Sequence, residues 1–361
     1  MKKLLVFGAL SIFALTTTAC LSAEGPAGST PTEELALVEP GTPTAAPSPT
    51  ETALPDTHTP EPPVLLSEVG ALDELGSVAD VHVSGEYAYL ADSSGGLQVV
   101  DISDPANPAR VSVFESPGST RGQGVFVAEP YLYLADGQGV RILNIEDPSD
   151  PQVIGFYDTL GFALDLQIVG DLAYVAAREG GFYIGDISDP TDPQHVSRLF
   201  DAGTDHVLDV QVSGDYAYVT MQGQGLKIVD VSQPASPLLV GELDTDGSAE
   251  AGAVDGNLLY LADGEAGVKV IDVSDPAAPQ EIGRLDTPGY AQDVEFINEL
   301  LFVADGDSRS LLVLDLSDPT NPESLTVYET LGYVWGVTVS DSYAYLALGE
   351  QGMLIVSVDE N

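Results

Sequence analysis

The sequence is poor in cysteine, in cations and in catalytic histidine patterns, and each shortage removes a class of explanation. Cys20 is the only cysteine. No intrachain disulfide can form, so a domain beyond it must hold together by packing alone, and thiol chemistry there is excluded. Only 11 Lys and Arg stand against 57 Asp and Glu, a formal charge of −46. A surface this acidic repels DNA, RNA and anionic lipid headgroups, which excludes nucleic acid as a partner. The four histidines, His58, His82, His195 and His206, show neither H-x-H nor H-E-x-x-H spacing. There is no Gly-rich phosphate loop, and acids are too abundant for proximity alone to nominate a glycosidase pair.

The first 63 residues read as export and tether. Lys2 and Lys3 give a positive start, and the apolar run Leu4–Leu15 is too short to span a bilayer but suits a signal peptide. The string Leu15-Thr16-Thr17-Thr18-Ala19-Cys20 resembles a bacterial lipobox, with Thr17 where leucine is usual. That resemblance implies diacylglycerol on the Cys20 sulfur and cleavage after Ala19, so residues 1–19 would be a lipoprotein-type signal peptide. Losing Lys2 and Lys3 takes the mature chain to about −48. Residues 20–63 hold the lipidated cysteine and a stalk rich in Pro, Thr, Ser, Ala and Glu. So few apolar side chains cannot offset the entropy of ordering, and the stalk is expected to be disordered. It would hold the body roughly 35–40 Å from its anchor.

From residue 64 to 361 the chain repeats. With 37 Gly, 25 Pro and 44% hydrophobic residues, it has the makings of many short strands and tight turns. An aromatic in the second strand recurs at Tyr89, Tyr133, Tyr174, Tyr218, Tyr260, Phe302 and Tyr345. A third apolar run follows each one, from Leu97–Ile102 to Met353–Val358. Six of these runs lead into a Pro-x-x-Pro turn, such as Asp104-Pro105-Ala106-Asn107-Pro108, where proline ends the strand. Each unit of about 42 residues therefore holds four strands, A to D from the inside outward, which is the plan of a propeller blade. The expected fold is all-β: a seven-bladed propeller of four-stranded antiparallel blades. Its last unit lacks strand D. The segment Val69-Gly70-Ala71-Leu72 parallels Ile282-Gly283-Arg284-Leu285, so an N-terminal outer strand would complete the last blade and close the ring.

At the third strand the sequence resembles the LVIVD-repeat family, through Leu226-Lys227-Ile228-Val229-Asp230 and Leu97-Gln98-Val99-Val100-Asp101. Asn144 and Ser357 replace the motif Asp, and Gln233 replaces the Asp before Pro234. The resemblance covers about residues 64–359. It implies a propeller in an exported or surface bacterial protein, and no defined reaction.

Comparing the units with one another locates the candidate sites. Strand A runs from a top face to a bottom face, so the D-to-A and B-to-C loops lie on top and the Pro-x-x-Pro turns beneath. At the top of strand A the units vary: Arg121, Phe162, His206, Tyr290 and Tyr333, with Trp335, the only Trp, in the last. Rigid aromatics with Arg and His around a channel mouth suit a ligand-binding patch, although they would also serve as plugs between blades. Below them Asp80, Asp165, Asp209 and Asp293 face one axis, and Asp305-Gly306-Asp307-Ser308 lies in a B-to-C loop. These carboxylates could hold Ca2+, or could bond nearby amides; no other cofactor is expected.

The favoured function is a non-catalytic cell-surface binding module, presenting the top face to a protein or glycan. A calcium-dependent propeller hydrolase or lyase and a structural envelope protein are the alternatives. The chain is expected to be extracytoplasmic and monomeric, anchored to the membrane through Cys20. The stalk should enter at the bottom, so that the varied face points away from the membrane.

Overall fold

The computed structural model describes residues 64–116, 122–200 and 206–360. The signal peptide, Cys20, the stalk and Arg121 lie outside the described residues. The described residues form one compact unit. Within it the strands make seven four-stranded antiparallel sheets, as the repeat predicts. Blade 1 contains Val78–Ser84, Tyr87–Asp92, Gly96–Asp101 and Ala109–Glu115 as strands A to D. The A strands of blades 2 to 7 start at Gly124, Asp165, His206, Ala251, Ala291 and Gly336.

The ring closes as anticipated. Blade 7 takes Val64–Leu72 as its outer strand, antiparallel to Met353–Glu360, with Val64 opposite Glu360 and Leu72 opposite Met353. This spends the backbone groups of an otherwise open edge. Val64 thus sits at the bottom end of the blade.

Strands B and C carry the core because both faces of each are covered by neighbouring blades. In every blade the recurrent aromatic is the third residue of strand B, and all seven are buried. Strand D is outermost and half wet, hence its weaker pattern; Val113, Val153, Leu239 and Val327 are exposed there.

Two polar devices shape the bottom. The motif Asp ending strand C accepts the amide two residues on, as Asp101 does from Ser103 (2.9 Å) and Asp315 from Ser317 (2.8 Å). Asn144 does the same for Glu146 (2.8 Å), so its replacement of the motif Asp preserves the turn. Each Pro-x-x-Pro turn then packs on strand D of the preceding blade. A Cβ on Gly70, Gly155, Gly241 or Gly283 would lie 1.9–2.2 Å from the first proline's carbonyl oxygen of the next blade. Where serine occupies the position it bonds instead: Ser112 donates to Pro148 O (2.7 Å) and Ser197 to Pro234 O (2.6 Å).

Candidate functional site at the channel mouth

The four axial aspartates stand where strand A begins to line the channel, and each reaches sideways. The amide of Val125 donates to Asp80 (2.8 Å), that of Val210 to Asp165 (3.3 Å), that of Gly252 to Asp209 (2.8 Å) and that of Val337 to Asp293 (2.9 Å). Each carboxylate therefore ties its blade to the next one. Where no tie is made the position carries Gly124, Ala251 or Gly336; a Cβ on Gly124 would meet Leu164 O at 2.6 Å. Among the described residues no three His, Cys, Asp or Glu groups are placed to share a metal ion.

The channel itself is a space of about 250 Å³, continued downward by His82, Phe126, Gln167, Gln211 and Glu295. Sequence comparison did not single these out, because side chains so varied at one register look like noise. Burial dominates their chemistry. It pushes the carboxyl of Asp80 to about 7, Asp293 to about 6 and Glu295 to about 8, and neighbouring carboxylates add to each. Asp165 and Asp209 hydrogen-bond to one another, and burial holds both above the usual carboxylate range. His82, whose ring lies tilted against that of Phe126 (5.2 Å between centroids), is pushed down to about 4 by desolvation.

Above the channel the varied residues do not form one ring. Tyr290, Tyr333 and Trp335 gather on blades 6 and 7. Tyr333 and Trp335 have ring centroids 4.5 Å apart. The Tyr333 hydroxyl donates to Gln292 Oε1 (3.0 Å), and Gln292 approaches Glu250 (3.5 Å). Glu250 also accepts from Ser248 (2.6 Å) and from the Tyr290 hydroxyl. Burial, with the nearby Asp307 carboxylate, pushes the Tyr333 phenol up to about 12, so it is a neutral donor at ordinary pH. Phe162 and His206 stand apart on blades 3 and 4. His206 belongs to a separate polar group with Gln222 (3.2 Å), Arg178 (3.4 Å) and Glu179 (3.5 Å).

Part of the aromatic set packs between blades. The rings of Phe162, Tyr290 and Tyr333 cover Gly137, Gly264 and Gly306 in the B-to-C loop of the preceding blade, where a Cβ would approach within 2.0–2.8 Å. Trp335 differs, with 45% of its surface exposed. It lines a cleft of about 490 Å³ with Tyr333, Leu331, Asp307, Arg309 and Glu350. Asp307 lies at the rim, whereas Asp305 is fully buried.

Leu331 was not anticipated, yet its signal was present. Thr159-Leu160-Gly161-Phe162 and Thr330-Leu331-Gly332-Tyr333 are the same string in two blades. In both, the threonine hydroxyl donates to the glycine carbonyl, at 3.1 and 2.7 Å. The turn so pinned lifts leucine into solvent, leaving Leu160 81% and Leu331 89% exposed.

A closed ring of four-stranded blades with a varied mouth defines the class: a repeat propeller domain, which serves generally as a binding or interaction module. The chain belongs to the LVIVD-repeat family, matched as LVIVD repeats at residues 75–115, 118–159, 160–200, 205–245, 246–287, 288–330 and 331–359. No curated protein matches it at a significant level. Among solved structures it is similar to the Cps50 (Swd1) β-propeller domain of Myceliophteria thermophila, at 12% identity and a TM-score of 0.66. The match covers 82% of this chain and 100% of that one. The WD40 β-propeller domain of Doa1 matches at 11% identity, TM-score 0.65, over 81% and 97%. The computationally designed Ika8 protein matches at 11%, TM-score 0.60, over 80% and 99%. At such identities the likeness is one of fold.

Proposed function

We propose that the domain is a non-catalytic binding module that captures a protein or glycan in the cleft between blades 6 and 7. The observation that carries this is the exposure of Trp335 beside Leu331. Large apolar side chains on a soluble surface are costly when contiguous, and an aromatic anchor within a polar rim is what binding hot spots are made of. The rim here is Asp307, Arg309, Glu350 and Gln351, mostly acidic or neutral, which disfavours anionic ligands. The exposed aliphatic tip of Leu331 favours a protein surface over a sugar. The exposed leucine recurs in blade 3, whereas the tryptophan beside it is peculiar to blade 7.

The lipobox-like string at Cys20 supports an exported, lipid-anchored chain at the cell surface. Val64, where the described chain begins, lies on the bottom face, opposite Glu360. Arrays of glycans and of extracellular proteins, probed with the soluble protein, test the reading. Trp335→Ala should weaken capture about tenfold or more while leaving the melting temperature almost unchanged. Undiminished capture by that variant would place the ligand elsewhere.

A further inference from the structure

Four blades carry an aspartate in the B-to-C loop, and the repeat supplies its own controls for how such a buried carboxylate is balanced. In blade 1, Asp92 receives Gln98 Nε2 (3.0 Å) and the amides of Ser77 (3.1 Å) and Ser94 (2.8 Å). In blade 2, Asp136 is paired with Arg141. In blade 5, Asp263 takes the Thr245 hydroxyl (2.7 Å), the Gly247 amide (3.1 Å) and the Lys269 ammonium (3.5 Å). Gln98, Arg141 and Lys269 occupy one register of strand C, opposite Leu90, Leu134 and Leu261.

Blade 6 breaks the pattern. The same register holds Leu312, opposite Val303. Asp305 is fully buried, and the Gly289 amide donates to its Oδ2 (2.9 Å), but its Oδ1 has no partner. Thr287, the counterpart of Thr245, also has a buried hydroxyl without a partner. Ser308 and Ser310 add two more hydroxyls beside the loop, 2.5 Å from one another, and Ser310 is buried. Asp307 stands close enough for its charge to act on Asp305. A buried carboxylate stripped of its cation is among the costlier arrangements a fold can hold. Here the Gly289 and Tyr290 amides and the Ser308 hydroxyl offset it only in part, and among the described residues no cation is paired with it.

We propose that blade 6 binds one calcium ion, with Asp305 as its buried ligand, Asp307 at its rim, and hydroxyls drawn from Ser308, Ser310 and Thr287. The ion would stand in for the ammonium that Lys269 supplies in blade 5. The donors are all oxygen, which selects a hard cation, and they come from an irregular loop rather than an octahedral cage, which favours calcium over magnesium. Two carboxylates match its charge. The site has one carboxylate fewer than a three-acid cage, so water would complete its shell. Gly306 of this loop underlies the Tyr333 ring, so the ion would also stiffen one wall of the cleft.

The test is calcium content by atomic emission, with melting temperature, on the full chain after chelation and dialysis against calcium at fixed ionic strength. Magnesium serves as the control for weak surface binding. We expect one retained calcium and a rise of about 3–5 °C that magnesium does not reproduce. Asp305→Asn should lose both effects, and Leu312→Lys should lose them by installing the blade 5 ammonium. Asp80→Asn, in the channel, should keep them. No retained calcium in the native chain, retention in the folded Asp305→Asn variant, or loss confined to Asp80→Asn would each overturn the site.

Discussion

Single carboxylates in this protein do opposite things according to what they face. Motif aspartates such as Asp101, Asp186, Asp230 and Asp272 cap turns at the wet bottom edge, where a hydroxyl and an amide hold them below the usual range. Asp80, Asp293 and Glu295 face a narrow channel and are pushed up. A carboxyl whose folded value lies above its unfolded one binds its proton more tightly when folded. Its penalty is therefore fully present above the folded value and is relieved as pH falls toward about 4. His82 runs the other way: held down to about 4, it opposes folding as pH drops below about 6.5. The acids outnumber it, so the melting temperature should rise as pH is lowered from about 8 to about 5. General relief of the −46 charge acts in the same direction. Glu295→Gln separates the two, since it should flatten the slope between about pH 6 and 8, as read by thermal melts in buffers of matched ionic strength. An unchanged slope would mean that the channel is wetter than its geometry implies.

At the scale of the strand, the blade was legible because inside-out burial leaves a strong record. Strands B and C must be apolar on both faces, and the aromatics from Tyr89 to Tyr345 mark them at constant register. The weaker strand D was readable only through its Gly and Pro, whose purpose the sequence did not disclose. The glycine at strand D exists because the next blade's proline turn lies against it, a contact between residues 35 or 36 apart that no local pattern signals. Gly241→Val should therefore destabilise the domain by about 1–3 kcal/mol through overpacking. Chemical denaturation measures it, and a loss below about 0.5 kcal/mol would show that the turn can yield. The same reasoning explains why the axial aspartates were ambiguous. Asp at every equivalent position would have read as a tie between blades, but four Asp among Gly and Ala look equally like ligands until the partner amides are seen.

For the molecule as a whole, closure by Val64–Leu72 does more than remove an edge. It makes top and bottom different in kind: the bottom is a ring of capped turns repeated almost unchanged, and the top is a collar of loops that differ from blade to blade. The collar in turn divides into interblade fillers, such as Phe162 over Gly137, and residues with no such duty, of which Trp335 and Leu331 are the clearest. Sequence comparison found the collar but not this division, since filler and anchor are both aromatic. That division makes the cleft between blades 6 and 7 the place where a ligand should sit. Because Trp335 is the only tryptophan, its fluorescence reports on that cleft and nothing else. Titrating the protein with any captured protein or glycan that lacks tryptophan, while following Trp335 emission and acrylamide quenching, tests the claim directly. Binding in the cleft predicts a blue shift and quenching that falls with occupancy. Saturable binding that leaves both unchanged would contradict it.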